Sequence, residues 1–235
     1  MKQTIYIGRT RKQKCSELIS HQLEPLLPML KEMYKDTPCD HILKCYAFLE
    51  QAKNTFVCRA PFDIKVKYTN DERVFCIDNL NLNQEDFDDT VFMQTPQLLQ
   101  LFSGFGTVFF TEKSTGMSVH KANHHISGIS DFPLVEGTFD ISSWFRHIHP
   151  AVINLGQKDF SIKKGDPLMY IKFHTEDTVE LKPFYVTEDL HRLAQASNNV
   201  ASFSSKNPLS ILYKMFNQSR ARHIILKEIK EQYSK

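Results

Sequence analysis

Long apolar runs are missing from this chain of 235 residues. No stretch approaches the ~20 apolar residues that a membrane-spanning helix needs. Residues 1–7 are a short polar start followed by strand-like residues, and they lack the apolar segment of a secretory signal. The sequence therefore predicts a soluble, intracellular protein that has no membrane as its partner.

A large net charge of either sign is also missing. The chain has 29 basic and 27 acidic residues and a formal net charge of +2, which is too small to indicate nucleic-acid binding from bulk charge. The basic residues nevertheless cluster at residues 9–14 and near the C-terminal end. Such a cluster forms either a solvated helix face or a patch for phosphate or an acidic protein. The candidate partner-binding residues are Lys214, Arg220, Arg222 and Lys227.

Cysteine is sparse and irregularly spaced. No CxxC pair is present, so the usual signatures of zinc ribbons and of thioredoxin-like redox chemistry are absent. We expect reduced, partly buried thiols in a reducing compartment. The five cysteines are Cys15, Cys39, Cys45, Cys58 and Cys76.

The common catalytic motifs are absent as well. There is no Gly-x-Ser-x-Gly elbow and no Walker sequence, and the pair Gly104 and Gly106 lacks the third glycine of a dinucleotide-binding turn. His174 and Glu176, with His191 further on, match the facial triad of iron oxygenases only in part, because the gap between them is too short. The catalytic residues therefore stay unknown at this point.

Phenylalanine and alternating patterns are what the chain has in abundance. It contains 18 Phe and 8 Tyr but one Trp, and aromatic residues favour strands. Residues 62–68 alternate apolar and polar side chains. Short strand-like segments with Gly, Asp and Ser turns, one of them a tight turn at Gly165 and Asp166, follow between residues 106 and 184. We predict a mainly β fold with helical extensions, of the α+β class. Its core would be an antiparallel β-sandwich, a jelly-roll or a β-clip-like fold.

Helical patterns are confined to the two ends. Near the N-terminus, Pro25 and Pro28 predict that a first helix ends near Glu24, and Asp40 is placed to cap a helix over about 41–53. Near the C-terminus, one helix opens at residue 187 and an amphipathic helix spans 209–233. The predicted organisation is one compact unit with an N-terminal helical segment over 1–54, a β-rich core over 55–184 and two C-terminal helices over 185–235.

Histidine is concentrated in one region, since five of the ten histidines lie within residues 120–149. On a strand, His147 and His149 would point to one face, as two ligands do in β-barrel metal sites. The surrounding glycines resemble the first cupin motif, but its carboxylate is missing. One hypothesis is a divalent metal such as iron or zinc, and the alternative is that these histidines are hydrogen-bonded or surface residues and no cofactor is bound. The candidate metal ligands are His120, His124, His147 and His149.

Several stretches carry a resemblance to a known group of proteins, and they lie at 44–49, 54–57, 61–64, 105–110, 134–140, 144–145 and 162–168. The sequence resembles a phage and bacterial family of unknown function, of the type found in marine T4-like phages, over about residues 38–184. The resemblance implies a compact β-rich domain, a phage origin and a location in the host cytoplasm or on the virion, and it carries over no catalytic residue.

Three functional hypotheses remain at this point. The first is a phage-encoded, non-enzymatic accessory or host-interaction protein that binds a host or phage protein. The second is a metal-dependent, cupin-like enzyme or sensor of a small molecule that uses the histidines of residues 120–149. The third is nucleic-acid binding through the terminal basic clusters. A homo-oligomer is compatible with each of them.

Overall fold

The computed structural model describes nine segments of the chain, and they contain more strand (38%) than helix (29%). The prediction of a mainly β protein of the α+β class is therefore confirmed. Some features named in the sequence analysis lie wholly or largely outside the described residues. They are the predicted cap at Asp40, the glycine pair at 104 and 106, the basic cluster at 9–14, Cys15 and Cys39. The described segments are 1–10, 22–35, 43–68, 74–78, 91–95, 97–102, 107–125, 127–203 and 208–234.

Fifteen strands and five helices are present in these segments. The strands are β1 (Lys2–Thr10), β2 (Gln22–Pro25), β3 (Thr55–Arg59), β4 (Ile64–Tyr68), β5 (Val74–Asp78), β6 (Val91–Thr95), β7 (Leu98–Leu101), β8 (Thr107–Phe110), β9 (Gly116–Lys121), β10 (Gly137–Asp140), β11 (His147–Ile148), β12 (Ala151–Ile153), β13 (Phe160–Ile162), β14 (Pro167–His174) and β15 (Thr178–Val186). The helices are α1 (Leu26–Tyr34), α2 (Tyr46–Ala52), α3 (Glu188–Phe203), α4 (Leu209–Gln218) and α5 (Ala221–Glu231).

The strands form four sheets. Sheet A has the order β11-β8-β1-β15, sheet B has β10-β9-β14-β3-β2, sheet C has β13-β4-β5 and sheet D has β12-β7-β6. Among the described strands the pairs are antiparallel except one: β1 runs parallel to β15 over its full length. The predicted all-antiparallel core is therefore corrected at this pair. The segment 1–54 is also only partly helical, because β1 lies in the middle of sheet A.

The largest apolar cluster lies between sheets A and B. It contains the inward side chains of β1 and β8 from sheet A and of β3, β9 and β14 from sheet B. The ring of Phe173 lies 5.7 Å from Phe56 and 5.7 Å from Phe109, so aromatic contacts join the two sheets directly. Several of the abundant phenylalanines thus pack in this core.

The outer faces of both sheets are covered by helices. The outer face of sheet A packs on α3, α4 and α5, with Phe216, Ile225 and Ile229 among the buried residues. The outer face of sheet B packs in part on α1 and α2, through Leu26, Leu30 and other apolar residues. The remaining part of that face is not covered by the apolar residues of α1 and α2, and it carries the polar groups described below.

Three details of the helices differ from the prediction. Pro28 does not interrupt a helix, because it lies in the first turn of α1, where its missing N–H has no helical partner. Glu24 lies in strand β2, so the prediction that a helix ends near this residue is wrong. The amphipathic segment 209–233 is two helices, because the extended backbone of Ser219 (φ −81°, ψ 165°) ends α4 before α5 begins at Ala221. The C-terminal part therefore has three helices where two were predicted.

The turn predicted before β14 and the cap at residue 187 are confirmed. Gly165 has a φ of +86°, a left-handed conformation that favours glycine, and it joins β13 to β14. The Thr187 hydroxyl accepts the N–H of Leu190 and caps α3. No helix of the described residues is long and apolar enough to cross a membrane.

The C-terminal helices contribute to the core, and this can be tested by substitution. Ile229 on α5 is fully buried, so Ile229→Ala is expected to lower the free energy of unfolding by about 2–5 kcal/mol. Ile224 on the same helix is 46% exposed, and Ile224→Ala is the matched control, with an expected change within about 0.5 kcal/mol. Urea unfolding of both variants measures the difference. Equal, small effects would show that α5 is not part of the core.

Candidate functional site

The part of sheet B that α1 and α2 leave uncovered carries a row of polar side chains. Side chains alternate between the two faces of a strand. The inward residues of β9 and β14 are apolar and join the main core. The outward residues of the same two strands are Ser118, His120, Tyr170, Lys172 and His174.

Ser118 is at the centre of this face. In the antiparallel register of β9 and β14, Ser118 is opposite Lys172 and Gly116 is opposite His174. The Ser118 Oγ lies 2.7 Å from Nε2 of His120 and 2.9 Å from Nε2 of His174. The side chain is almost completely buried. One hydroxyl group therefore bridges two imidazole rings.

A carboxylate lies on the far side of the His120 ring. The Oε2 atom of Glu136 is 3.6 Å from Nδ1 of His120, and its Oε1 atom accepts the backbone N–H of Lys121 at 2.9 Å. Glu136 and His120 remain partly exposed, at 51% and 36% of their side chains. The four residues form a line of carboxylate, imidazole, hydroxyl and imidazole.

Gly116 leaves the space that the His174 ring occupies. A Cβ atom at this position would lie 3.2 Å from Cδ2 of His174, closer than such contacts normally are. The Cδ2 edge of the ring therefore faces the strand backbone at Gly116. A larger residue at position 116 would therefore require the His174 ring to shift by a few tenths of an ångström.

A second group of histidines surrounds Tyr170. The Tyr170 hydroxyl accepts the backbone N–H of His124 at 3.1 Å and lies 2.7 Å from Nδ1 of His125. The His124 ring stacks on Tyr170 and contacts the edge of Phe48 from α2. Burial raises the pKa of Tyr170 to about 12. This group holds the loop after β9 against the helices.

Lys172 joins sheet B to the end of α2. Its ammonium group donates to the backbone carbonyls of Glu50 and Gln51, each at 3.1 Å, and to the side-chain oxygen of Gln51 at 3.0 Å. The last carbonyls of a helix have no helical partners, so a cation at this end satisfies them and stabilises the helix dipole. Burial lowers the pKa of Lys172. Lys172 therefore holds the C-terminal end of α2 beside the polar face of sheet B.

Two surface clefts open on this face and share Lys172. Cleft I has a volume of about 260 Å³ and cleft II about 470 Å³. His120 lines cleft I and His174 lines cleft II, so the buried Ser118 connects a residue of each. Cleft I is otherwise lined mainly by Leu26, Phe48, Ala52, His124, Glu136 and Tyr170. Cleft II is otherwise lined mainly by Glu50, Lys53, Thr175 and Glu176.

The four histidines predicted as metal ligands lie in different places. His120 and His124 both line cleft I. The His147 ring lies 5.6 Å from the His191 ring of α3, and Nε2 of His149 is 2.6 Å from the Gln100 side chain on β7. Within the described segments no group of three or more His, Cys, Asp or Glu residues is placed to hold a metal ion. A bound metal stays a prediction.

The basic residues predicted to bind a partner lie on α4, α5 and the link between them. Lys214, Arg220 and Lys227 are exposed. Arg222 is half-buried and donates to the backbone carbonyl of Glu112. Lys227 lies 3.9 Å from Glu231, one helical turn on. Three of the four residues are thus available at the surface.

Sequence reasoning did not assign Ser118, Glu136 or His174 to a site with His120. A local signal was present, because Ser118 and His120 are two apart on a predicted strand and must share a face. The pairing of β9 with β14, which brings in His174, is not visible in the local pattern.

Comparisons with known proteins found no relative. No family model matches the chain, and neither the curated proteins nor the solved structures contain a match. The polar face of sheet B and the exposed surface of the C-terminal helices are therefore the basis for functional hypotheses.

Three histidines of this region predict a stability that falls in acid. Burial is the largest cause that lowers the pKa of His124, His125 and His174. Their stabilising contribution is therefore full above the unfolded pKa of about 6.5 and is lost as pH falls through the lower folded values. Urea unfolding should give a smaller free energy at about pH 5 than at neutral pH.

A matched pair of variants separates this effect from general acid sensitivity. His125→Gln removes one of the three rings, a partly buried one, and its stability should fall less between neutral and acid pH than that of the wild type. His223→Gln removes an exposed ring on α5 and should keep the wild-type dependence. An unchanged dependence in His125→Gln would contradict the assignment.

Proposed function

We propose that the protein is an enzyme that acts on a small polar molecule by acid–base catalysis at the polar face of sheet B. The observation that carries this proposal is the Ser118 hydroxyl held between His120 and His174. Imidazole is the side chain best suited to give and take protons near neutral pH. Two imidazoles in contact with one hydroxyl supply both roles at one place.

The surroundings of the two rings support this proposal. Each ring lines a cleft of ligand size, so a bound molecule can reach it. The Glu136 carboxylate lies 3.6 Å from Nδ1 of His120, the side of the ring on which a carboxylate assists a general base. The pKa of His174 is lowered by burial and by the charges of Lys172 and His120, which favours a neutral ring able to accept a proton.

The proposal is tested with a mixture of natural small molecules. Full-length protein is incubated with the low-molecular-mass fraction of a bacterial extract in D₂O, and NMR spectra follow consumption of components and incorporation of deuterium. We expect the wild type to change at least one component. His120→Gln and His174→Gln should slow that change by at least about 10²-fold, the usual contribution of general acid–base catalysis.

The matched control is His191→Gln, which removes a histidine on α3 that contacts His147, away from the polar face. It should leave the rate unchanged. The proposed enzyme would be rejected if the wild type leaves the spectrum of the extract unchanged. It would also be rejected if both His120→Gln and His174→Gln keep the wild-type rate.

A second candidate function is binding to an acidic protein through α4 and α5. Ile211 and Met215, one helical turn apart, are 43% and 52% exposed. The exposed Lys214 lies between them in sequence, and Lys227 is exposed on α5. Exposed apolar residues beside cations fit a partner with an apolar centre and acidic rim. The resemblance to phage proteins makes a host or phage protein the expected partner.

Charge reversal tests this second candidate. The double variant Lys214→Glu/Lys227→Glu is compared with Lys65→Glu/Lys67→Glu, which makes the same charge change on the exposed side of β4. Immobilised wild type and control should retain the same acidic protein from phage-infected cells, and the first variant should lose it. Retention by all three, or by none, would contradict docking on these helices.

A further inference from the structure

We propose that Glu136, His120, Ser118 and His174 form a proton relay between the two clefts, in which Ser118 fixes opposite tautomers on the two rings. His120 carries its proton on Nδ1 and His174 carries its proton on Nε2. The inference rests on the proposed acid–base function, because it assigns the role of each residue in that site. Ser118 is then a positioning residue and does not act as a nucleophile.

The opposite tautomers follow from counting protons. A serine hydroxyl has one proton to donate and lone pairs that accept. The Ser118 Oγ is within hydrogen-bond distance of two Nε2 atoms, at 2.7 and 2.9 Å. It therefore donates to one ring and accepts from the other. One Nε2 is bare and the other carries a proton when both rings are neutral.

Glu136 determines which of the two rings carries its proton on Nδ1. A carboxylate accepts hydrogen bonds and attracts N–H groups, and Glu136 lies 3.6 Å from Nδ1 of His120. The neutral His120 ring is thus favoured with its proton on Nδ1, which leaves Nε2 bare to accept from Ser118. His174 must then donate its Nε2–H to Ser118. Its Nδ1 is the free acceptor, on the side of the ring away from the Cδ2 edge that faces Gly116.

A proton can move along this line without breaking any bond other than N–H and O–H. When a proton binds Nδ1 of His174, the Nε2 proton passes to Ser118 as the Ser118 proton passes to Nε2 of His120. His120 then releases its Nδ1 proton to Glu136 or to a molecule in cleft I. One proton enters at cleft II and one leaves at cleft I, and nothing is oxidised or reduced.

The relay indicates a class of ligand for cleft I. The molecule there takes up a proton as it reacts, as a carbonyl oxygen or a departing alkoxide does. The burial of Ser118 keeps the hydroxyl from a competing reaction with such a molecule, because the side chain is only 2% exposed.

The tautomers can be read without a substrate. The full chain with ¹⁵N-labelled histidine is studied by long-range ¹H–¹⁵N NMR near neutral pH, and His120→Gln and His174→Gln assign the two rings. We expect the Nδ1–H form at His120 and the Nε2–H form at His174. In Ser118→Ala, His120 loses its donor at Nε2, so its fraction of the Nδ1–H form should fall measurably even though Glu136 still favours that form. Ser118→Thr keeps the hydroxyl and should restore the wild-type pattern.

The outcomes separate the relay from the enzyme. The Nε2–H form at both rings of the wild type, or an unchanged His120 in a folded Ser118→Ala protein, overturns the relay. If the expected tautomers are found but no component of the bacterial extract is turned over, the relay is supported and only the proposed enzyme is rejected. Turnover that depends on His120 and His174 but shows the same tautomer at both rings keeps the enzyme and rejects the relay.

Discussion

The alternation of side chains along strand β14 is the constraint on which the structure depends. Its inward residues Met169, Ile171 and Phe173 are buried between sheets A and B. Its outward residues Tyr170, Lys172 and His174 build the polar face. Because a strand fixes both sets at once, a shift of one residue would bury the polar set and expose the apolar set. The register of β14 therefore determines both which residues form the core and which residues form the candidate site.

The helices outside sheet B depend on the same strand. Lys172 binds the last carbonyls of α2, and Tyr170 packs with the apolar residues of α1 and α2. These contacts place a helical wall beside His120 and create cleft I. Ser118 is buried under this arrangement, and losing a hydrogen-bond partner there would cost about 1–3 kcal/mol. The contacts with both imidazoles thus explain how a hydroxyl is stable at this depth.

The sequence predicted the elements better than their connections. The alternating residues at 62–68, the turn at Gly165 and the cap at residue 187 are local features, and the structure has them. The parallel pairing of β1 with β15 joins residues more than 170 positions apart, and no local pattern marks it. The helix break at Ser219 was missed because the apolar spacing continues across it, while one residue with an extended backbone ends the first helix.

The site was predicted only in part for the same reason. Histidine enrichment pointed to His120 and His124, which do share a cleft. It also pointed to His147 and His149, whose partners are His191 and Gln100. Ser118 joins His174 across 56 positions of sequence, and only the pairing of β9 with β14 brings them together. The chemistry of this face thus depends on sheet register, which a single sequence does not show.

Neutron diffraction from crystals of the full chain is the most direct test, because it locates protons. The account predicts that the Ser118 Oγ lies within hydrogen-bond distance of both Nε2 atoms. It also predicts one proton on Oγ pointing to His120 and one on Nε2 of His174. A Ser118 hydroxyl that contacts only one ring, or two Nε2 atoms that both carry protons while the rings are neutral, would contradict the central claim.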